Sequence, residues 1–578
     1  MNLRSNAVFT VGCVVLLSAA ACKKGVSSTH PTNGGGGTST TDSVYNPVDP
    51  STPATVGFFG NGWAPRTFAA PGDTTVSVSS SLVATDSLTI NVNDVLAKAP
   101  PTVYGNNTNP YMGQMVTQPA LMQYITDLSP NILRGPGGSL SDVYFWNGTA
   151  SNPAPADAPD SILNSSGVAG PLGPWYGGNT QGWTLSLANY YNVLAQTNST
   201  GYLTVNYGYA RYGTGPNPVA AAAHLAADWV RYDNGRTKYW EIGNETYGGW
   251  EAGYLIDTTK NQDGQPATVT GALYAQHINV FADSMRAAAQ ETGATIYIGA
   301  FLATGTSAAI TNWNQGVLSN IGNGADFFII HDYFTPYEQN SSVATILGTG
   351  MTVPPADMSY VRQQLQTYGV STRPVAMSEW NIQATGSKQN TSYIAGIQAA
   401  LTVGSYIRNQ YAMASRWDLA NGYLNGDDMG MFNIGDEPGA PLWNPRPAFY
   451  YLYYFQRFFG DRMVYDTLRR SNADLTTYSS TFTSGQAGTI IINSGALNHV
   501  VSVDFQHFPA GTRYHWYILT GGTDNAPFSS QVYVNGAGPA TPTGGPLNYS
   551  TIKPYGAPLT GTIKISVPAL SVVYLVAE

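Results

Sequence analysis

Tyr239-Trp-Glu-Ile-Gly-Asn-Glu245 and Val375-Ala-Met-Ser-Glu-Trp-Asn381 are the two stretches that identify the fold class of this chain. Each is a short apolar run typical of a buried strand, and each places a glutamate at its C-terminal end. Short apolar strands of this kind occur in parallel sheets that helices cover on both faces. When such a sheet closes into a barrel, the C-terminal strand ends carry the functional residues. The two stretches therefore predict a parallel barrel with Glu245 and Glu379 at one end.

Runs of the same kind recur along the central part of the chain, at Val103–Gly105, Asn131–Arg134, Tyr202–Asn206, Lys238–Ile242, Thr295–Ile298, Asp326–His331, Val375–Ser378 and Ala412–Trp417. Helix-like segments lie between them, at Pro218–Tyr232, Leu273–Thr292, Met358–Tyr368 and Tyr393–Asn409. Strands that alternate with helices favour an α/β fold with a parallel sheet. We predict a (β/α)₈ TIM barrel over residues 99–460.

The last part of the chain has a different pattern. From residue 461 to 578 there are short runs of alternating apolar and polar residues, separated by Gly, Pro and Asn turns, at 489–493, 500–504, 514–518 and 571–576. Such spacing is typical of an antiparallel β-sandwich. An earlier alternating segment at 75–98 is expected to join the same sheet.

The N-terminal residues 1–22 resemble a bacterial lipoprotein signal. Arg4 precedes an apolar stretch from Ala7 to Ala21, which is too short to span a bilayer comfortably, and Cys22 follows directly. The only other cysteine, Cys13, lies inside the segment that would be removed, so Cys22 is the expected lipid attachment site. The alternative is an ordinary signal peptide. Residues 23–55 read as a flexible Gly/Ser/Thr linker. We expect an exported lipoprotein anchored in the outer membrane, periplasmic or at the cell surface, or otherwise a secreted protein.

Composition narrows the expected partners. Only 10% of the residues are charged, against roughly 25% in ordinary soluble domains, while 12% are aromatic. This suits aromatic stacking on sugars, although an extracellular surface alone has the same composition. A net charge of −9 gives no reason to expect nucleic acid, and membrane contact is expected only through the lipid. No cofactor motif is present, and the Asn425–Asp428 loop lacks the ligand spacing of a dedicated calcium site, so no metal is predicted.

Three strings, Ile132–Gly138, Lys238–Glu245 and Ser378–Asn381, together resemble the clan A retaining glycoside hydrolases, most closely the family 51 α-L-arabinofuranosidases and their relatives. The resemblance implies a barrel followed by a β-sandwich, with Glu245 as general acid/base and Glu379 as nucleophile. A retaining mechanism needs the two carboxyl groups about 5–5.5 Å apart. It also needs Glu245 protonated near neutral pH, and we expect the charge of Glu379 to raise the pKa of Glu245.

The same resemblance implies roles for five further residues. Asn244 is expected to bind the sugar 2-hydroxyl, Arg134 to hold Glu379 ionised, and Tyr333 to donate a hydrogen bond to Glu379. His331 is expected to contact substrate or to support the carboxyl groups, and Trp417 to stack under the sugar. The structural alternatives are a turn-capping Asn, an Arg at the barrel rim, and a His and a Trp packed in the core.

Other aromatic side chains could extend the site, namely Trp146, Trp250 and Trp380. The chain also departs from the family pattern, because Asn106 and Asn107 follow the first strand where many relatives place a Glu or another polar ligand of the non-reducing sugar. The segment between Arg211 and Lys238 is shorter than in typical family 51 enzymes.

The resemblance leaves several activities open. The leading expectation is an α-L-arabinofuranosidase that acts on a plant-type polysaccharide or oligosaccharide. A β-xylosidase or an endo-β-glycanase of the same clan is the alternative enzyme. A non-catalytic glycan-binding lipoprotein is the alternative from another class. Neither the sugar nor the oligomeric state is predicted, because loops of unknown shape set them.

Overall fold

The computed structural model describes residues 45–78, 81–129, 131–509 and 511–578. The predicted signal, Cys22 and the linker up to residue 44 lie outside the described residues.

The described residues contain a closed barrel of eight parallel strands, which confirms the predicted α/β barrel. In chain order the strands are Gly105–Asn107, Ile132–Gly135, Thr200–Val205, Tyr239–Ile242, Tyr297–Phe301, Phe327–Tyr333, Val375–Asn381 and Met413–Arg416. Most of their residues are buried on both faces, since side chains inside the barrel pack on one another and those outside pack on helices.

Two predicted strands are displaced. The first strand was expected at Val103–Gly105, but Pro101–Val103 forms a 3₁₀ turn and the strand begins at Gly105. Prolines at 100 and 101 lack the N–H that a strand ladder requires, so pairing starts only after them. The fifth strand was expected at Thr295–Ile298 and runs instead from Tyr297 to Phe301.

Helices surround the barrel. They are Pro119–Asp127, Leu187–Thr197, Gly208–Tyr212, Pro218–Asp233, Gly271–Thr292, Ala308–Asn320, Val343–Thr367, Tyr393–Arg408 and Pro447–Phe458. Hydroxyl side chains cap many N-termini by accepting a backbone N–H two or three residues into the helix, which stabilises each helix by about 1 kcal/mol. These caps are Ser186, Thr270, Ser307, Ser342 and Ser392. Within the described ranges, no helix is long and apolar enough to cross a membrane.

One helix is longer than its sequence predicts. The sequence pattern predicts a helix over Met358–Tyr368, and the two prolines just before it, Pro354 and Pro355, are residues that normally disfavour a helix interior. The structure continues the helix through both prolines, from Val343 to Thr367. Pro354 is buried there, and the Tyr411 hydroxyl donates to its carbonyl at 2.7 Å.

The C-terminal part forms a mostly antiparallel sheet of eleven strands, in agreement with the predicted sandwich domain. The strands are Thr74–Thr75, Asp86–Lys98, Arg462–Arg469, Leu475–Thr481, Ala487–Asn493, His499–Gln506, Arg513–Gly521, Val532–Val534, Tyr555–Pro558, Ile563–Val567 and Ser571–Ala577. The early strand Asp86–Lys98 pairs antiparallel with Arg462–Arg469 and parallel with His499–Gln506.

The last strand, Ser571–Ala577, joins the two parts of the molecule. Val573 and Leu575 belong to the core inside the sheet, whereas Val572 and Tyr574 belong to the core shared with the barrel. The Tyr574 hydroxyl donates to the carbonyl of Tyr451, on the last barrel helix, at 2.8 Å. Because both faces of this strand are covered, its sequence is continuously apolar rather than strictly alternating. The sheet therefore packs against the barrel through an apolar surface.

Candidate active site

The two glutamates reach the same end of the barrel from different strands. Glu379 lies near the C-terminal end of the seventh strand, in register with His331 on the sixth. Glu245 lies three residues beyond the fourth strand, in the loop that follows it. The predicted carboxyl pair is therefore brought together at the C-terminal end of the barrel.

A tight turn positions Glu245. Gly243 has a φ of +78°, and a Cβ at this position would lie 2.7 Å from Cβ of Tyr207, so only glycine fits. Glu245 itself has a φ of +38°, and its carbonyl accepts the backbone N–H of Gly248 at 2.6 Å. A non-glycine residue in this region costs of order 1–3 kcal/mol, which the surrounding contacts must offset.

Three side chains hold the carboxyl group of Glu245. Nε1 of Trp250 donates to Oε2 at 2.9 Å, and the Tyr247 hydroxyl donates to Oε1 at 3.3 Å. Nδ1 of His331 lies 3.1 Å from Oε1. The side chain of Glu245 is still 15% exposed, so this carboxyl group can exchange protons with solvent.

The carboxyl group of Glu379 is more enclosed, with a side chain 7% exposed. The Tyr333 hydroxyl donates to Oε1, and Nη1 of Arg134 donates to Oε2 at 3.1 Å. Both donors stabilise the ionised form of the carboxyl group.

His331 links the two carboxyl groups. Its Nδ1 is 3.1 Å from Oε1 of Glu245 and 3.8 Å from Oε2 of Glu379. These two oxygens are therefore at most about 7 Å apart, the sum of the two distances. Such a limit is compatible with the carboxyl separation of about 5–5.5 Å in retaining glycosidases.

Arg134 is buried and contacts several groups of the site. Nε donates to Oε1 of Glu241 at 2.6 Å, and Nη2 donates to Oδ1 of Asn244 at 2.7 Å. Nη1 donates to Oδ1 of Asn107 at 2.8 Å in addition to Glu379. The guanidinium thus faces two carboxylates and fixes the Asn244 amide oxygen.

Burial is the main cause of the pKa shifts in the site. It raises the pKa of Glu245, while hydrogen bonds from Trp250 and Tyr247 and the charge of Arg134 oppose the shift. Our prediction that Glu379 raises the pKa of Glu245 was therefore wrong about the cause. Burial also raises the pKa of Glu379, and the charge of Glu245 adds to the shift, while the charge of Arg134 and the hydrogen bond from Tyr333 oppose it.

His331 is neutral at neutral pH, since burial lowers its pKa to about 4. Its Nε2 lies 2.8 Å from the Ser378 hydroxyl. If Nε2 accepts from Ser378, Nδ1 carries the proton and donates to Glu245. The contact with the carboxyl pair is then a hydrogen bond without an imidazolium charge.

Two acidic residues behind Asn244 were not predicted. Oε1 of Glu251 accepts from Nδ2 of Asn244 and from the Ser139 hydroxyl, each at 2.8 Å. Asp142 accepts the backbone N–H groups of Tyr207 and Asn244, at 3.1 and 3.3 Å. Burial raises the pKa of Asp142 to about 7 and raises that of Glu251 well above its usual range. Glu251 and Arg134 together fix both ends of the Asn244 amide.

The segment Pro136-Gly-Gly138, directly after the second strand, packs against Trp417. Gly138 has a φ of +65°, and a Cβ there would lie 2.5 Å from Cη2 of Trp417. The backbone after the second strand thus approaches the indole ring closely and holds it at the end of the eighth strand. Trp417 is partly exposed, as a ring that can contact a ligand must be.

The three other tryptophans considered from the sequence differ in position. Trp250 contacts Glu245, as described above. Trp380 is 1% exposed and packs on Phe334 and Tyr406, so it is a core residue. Trp146 stacks on Trp229 and donates to the Leu225 carbonyl at 2.9 Å, which makes it part of the packing behind the site.

Asn106 and Asn107, which depart from the family pattern, are both buried. Asn107 contacts Arg134 through Oδ1 and the Ser378 carbonyl, at 3.1 Å, through Nδ2. It therefore takes part in positioning the charged groups.

The part of the chain that the structure describes has no group of three or more His, Cys, Asp or Glu side chains placed to hold a metal. In the Asn425–Asp428 loop, Asp428 forms a buried ion pair with Arg446, and Asp427 accepts the backbone N–H groups of Gly386 and Ser387.

Solved structures with the same fold are glycoside hydrolases. The α-L-arabinofuranosidase of Thermotoga maritima, in complex with arabinose, is 15% identical, with a TM-score of 0.59 over 85% of this chain and 100% of that one. The family 51 α-L-arabinofuranosidase of Thermotoga petrophila RKU-1 has the same identity and coverage and a TM-score of 0.61. A family 44 xyloglucanase of Paenibacillus polymyxa is 11% identical, with a TM-score of 0.53 over 86% of this chain and 100% of that one.

No protein-family model matches the chain, and a search of curated proteins found no match either. At these identities the similarity establishes the fold, a barrel with a β-sheet domain. The expected fold resemblance to family 51 enzymes is thereby confirmed.

Proposed function

We propose that this protein is a retaining glycoside hydrolase. The observation that carries the proposal is the pair formed by Glu245 and Glu379, whose carboxyl groups both contact His331. Burial raises the pKa of both carboxyl groups, but Glu245 is the more exposed of the two and can exchange protons with solvent, as a general acid requires. The other is enclosed and accepts from Tyr333 and Arg134, as an ionised nucleophile requires.

The reaction would proceed in two displacements. Glu379 attacks the anomeric carbon and forms a glycosyl ester, while the bond to the leaving oxygen breaks and Glu245 transfers its proton to that oxygen. Water then gives a proton to Glu245 and attacks the anomeric carbon, which releases Glu379. Asn244 is oriented to bind the 2-hydroxyl, since Arg134 holds its oxygen and Glu251 one N–H, leaving the second N–H of Nδ2 for substrate.

For the substrate, we propose a plant-type polysaccharide or oligosaccharide, with α-L-arabinofuranosidase as the first activity to test. Its support is the similarity in fold to the family 51 α-L-arabinofuranosidases of two Thermotoga species.

An endo-β-glycanase is the second candidate. The xyloglucanase among the fold neighbours supports it, and so does a structural observation. The exposed tryptophans Trp183 and Trp250 lie in loops after two different barrel strands, an arrangement suited to a long sugar chain.

The test is turnover of 4-nitrophenyl glycosides (α-L-arabinofuranoside, β-xyloside, β-glucoside, β-galactoside and β-glucuronide) together with digestion of soluble arabinoxylan and xyloglucan. We expect hydrolysis of at least one substrate, with a loss of at least about a thousandfold in Glu379→Ala. The matched control is Glu291→Ala, which removes an exposed surface carboxylate. Polysaccharide binding without any hydrolysis would overturn the proposal in favour of a glycan-binding protein. If Glu379→Ala were as active as the wild type, the proposed nucleophile and mechanism would be overturned.

We also propose export with a lipid on Cys22, supported by the apolar stretch that precedes this cysteine in the sequence. Labelling of the expressed protein with radioactive palmitate tests it. Equal labelling of wild type and Cys22→Ala, or none of the wild type, would contradict the proposal.

A further inference from the structure

The exposed tryptophans of this protein are confined to one end of the barrel. All twelve tryptophans lie in the described residues, and only two of them are largely exposed to solvent. Trp183 is 60% exposed and Trp250 is 65% exposed. Trp183 follows the second strand and Trp250 follows the fourth, so both lie at the end that carries Glu245 and Glu379. Among the described residues, exposed indole rings therefore occur only at this end of the barrel, where the ring of a sugar could stack on them.

Trp183 belongs to an aromatic row that we call the outer surface, formed by Tyr111, Trp175 and Trp183. The ring centroids of Tyr111 and Trp175 are 6.4 Å apart, and those of Trp175 and Trp183 are 5.6 Å apart. Trp183 is exposed and the other two rings are partly exposed. The row therefore leads from the barrel end towards solvent.

Backbone pairing holds the outer surface in place. Trp175 pairs with Tyr144 in a short two-stranded sheet. The segments that carry Tyr111 and Trp183 are joined by two hydrogen bonds, from Leu185 N–H to the Pro110 carbonyl at 2.7 Å and from Gly113 N–H to the Trp183 carbonyl at 3.2 Å. The rings are thus preorganised, which lowers the entropic cost of binding.

The outer surface is continuous with the catalytic centre. Tyr111 lies two residues after Asn109, whose Nδ2 donates to Asp418, the residue next to Trp417. Burial raises the pKa of Tyr111, and the charges of Asp418, Asp428 and Glu379 add to the shift. The row thus begins on a segment that is hydrogen-bonded to the residue directly after Trp417, the ring proposed to stack under the cleaved sugar.

The position of the row relative to Glu245 indicates which part of a substrate it meets. In the closed barrel, the eighth strand lies opposite the fourth, and the first strand lies beside the eighth. The leaving group must lie next to the proton donor Glu245, on the side of the fourth strand. The part of the sugar chain that stays bonded to Glu379 must then extend towards the loops after the eighth and first strands, where Tyr111 lies.

We infer that the outer surface binds sugar units on the nucleophile side of the cleaved bond, so that the protein cuts within a glycan chain. This inference rests on the proposed function and deepens it, since it favours the endo-acting candidate over an enzyme that removes single arabinose units. The aromatic faces suit the apolar faces of pyranose rings, and neutral glycans are the class of ligand expected.

Binding is tested without turnover in the inactive Glu379→Ala background. Native gels that contain soluble arabinoxylan or xyloglucan compare Glu379→Ala with Glu379→Ala/Trp183→Ala. We expect at least one polysaccharide to retard the first protein, and the second variant to bind about tenfold more weakly. The matched control is Glu379→Ala/Tyr465→Ala, which removes a 48% exposed aromatic ring on the sheet domain.

Turnover supplies the second measurement. In Trp183→Ala, kcat/KM on the polysaccharide should fall about tenfold more than kcat/KM on an aryl monosaccharide, and wild-type products should be oligosaccharides. The inference would be overturned if polysaccharide retarded Glu379→Ala and Glu379→Ala/Trp183→Ala equally, or retarded neither of them. It would also be overturned if the wild type released only monosaccharides. If no substrate is hydrolysed but Trp183→Ala still abolishes retardation, the proposed hydrolase function fails and the binding surface stands.

Discussion

Nε1 of Trp250 donates a 2.9 Å hydrogen bond to Oε2 of Glu245, from an indole that is 65% exposed. The proposed acid is thus held by a side chain that solvent and substrate can both reach. An indole N–H can only donate, so this contact favours the ionised carboxylate and lowers the pKa that burial raises.

Replacing Trp250 with Phe should shift the pH profile. Loss of the donor raises the pKa of Glu245 further, and because the acid must be protonated, activity should persist to higher pH. The alkaline limb of kcat/KM on an aryl glycoside should therefore move to higher pH. Trp183→Phe, which alters an equally exposed indole after a different strand, should keep the wild-type alkaline limb. An unmoved limb in Trp250→Phe would contradict the role of Glu245.

Replacing Tyr333 with Phe should affect the acidic limb instead. The Tyr333 hydroxyl lowers the pKa of Glu379, so its removal raises that pKa, and the nucleophile becomes protonated at higher pH. The acidic limb should move to higher pH, and kcat should fall about a hundredfold. In Tyr247→Phe, which removes a donor to Glu245, the alkaline limb should move and the acidic limb should not. The same shift in both variants would show that the two carboxyl groups are wrongly assigned.

Replacing Glu245 with Ala should make the rate depend on the leaving group. A proton donor contributes about 10²–10⁴-fold when the leaving oxygen is basic and less when it is a nitrophenolate. We expect a larger loss of kcat/KM on an unactivated oligosaccharide than on its 4-nitrophenyl counterpart. Equal losses on both substrates would argue against the acid/base role.

Replacing Arg134 with Met should destabilise the fold. The guanidinium is fully buried between Glu241 and Glu379, and its loss leaves two buried carboxylates without a positive countercharge. The free energy of unfolding, measured in urea, should fall by about 3–5 kcal/mol. Arg231→Met, which breaks an exposed ion pair with Glu291, should have little effect. Equal stability of the two variants would contradict the importance of the buried pairing.

Much of the candidate site could be predicted from short strings of sequence. Glu245 and Glu379 end apolar runs, and the position of a residue at a strand end is a local property that the sequence displays directly. The residues expected around them, Arg134, Asn244 and Tyr333, do lie in contact with one another or with a glutamate. Their catalytic roles stay predictions.

Other members of the site were missed for a physical reason. Glu251 and Asp142 follow the fourth and second strands in polar loops, where acidic residues are usually solvated. Only the packing of those two loops on each other buries them behind Asn244. The position of Glu251, six residues after Glu245 in the same loop, was the available sign that it could lie near the site.

The sequence by itself determined the barrel, the sheet domain and the two glutamates at one end, because strand periodicity and strand ends depend on neighbours along the chain. The tertiary structure alone decided which tryptophans are exposed at the barrel end: Trp380 is in the core, whereas Trp183 and Trp250 are exposed there. It also decided that burial, rather than the charge of Glu379, raises the pKa of Glu245. Exposure and desolvation are set by segments distant in sequence, so no local pattern reports them.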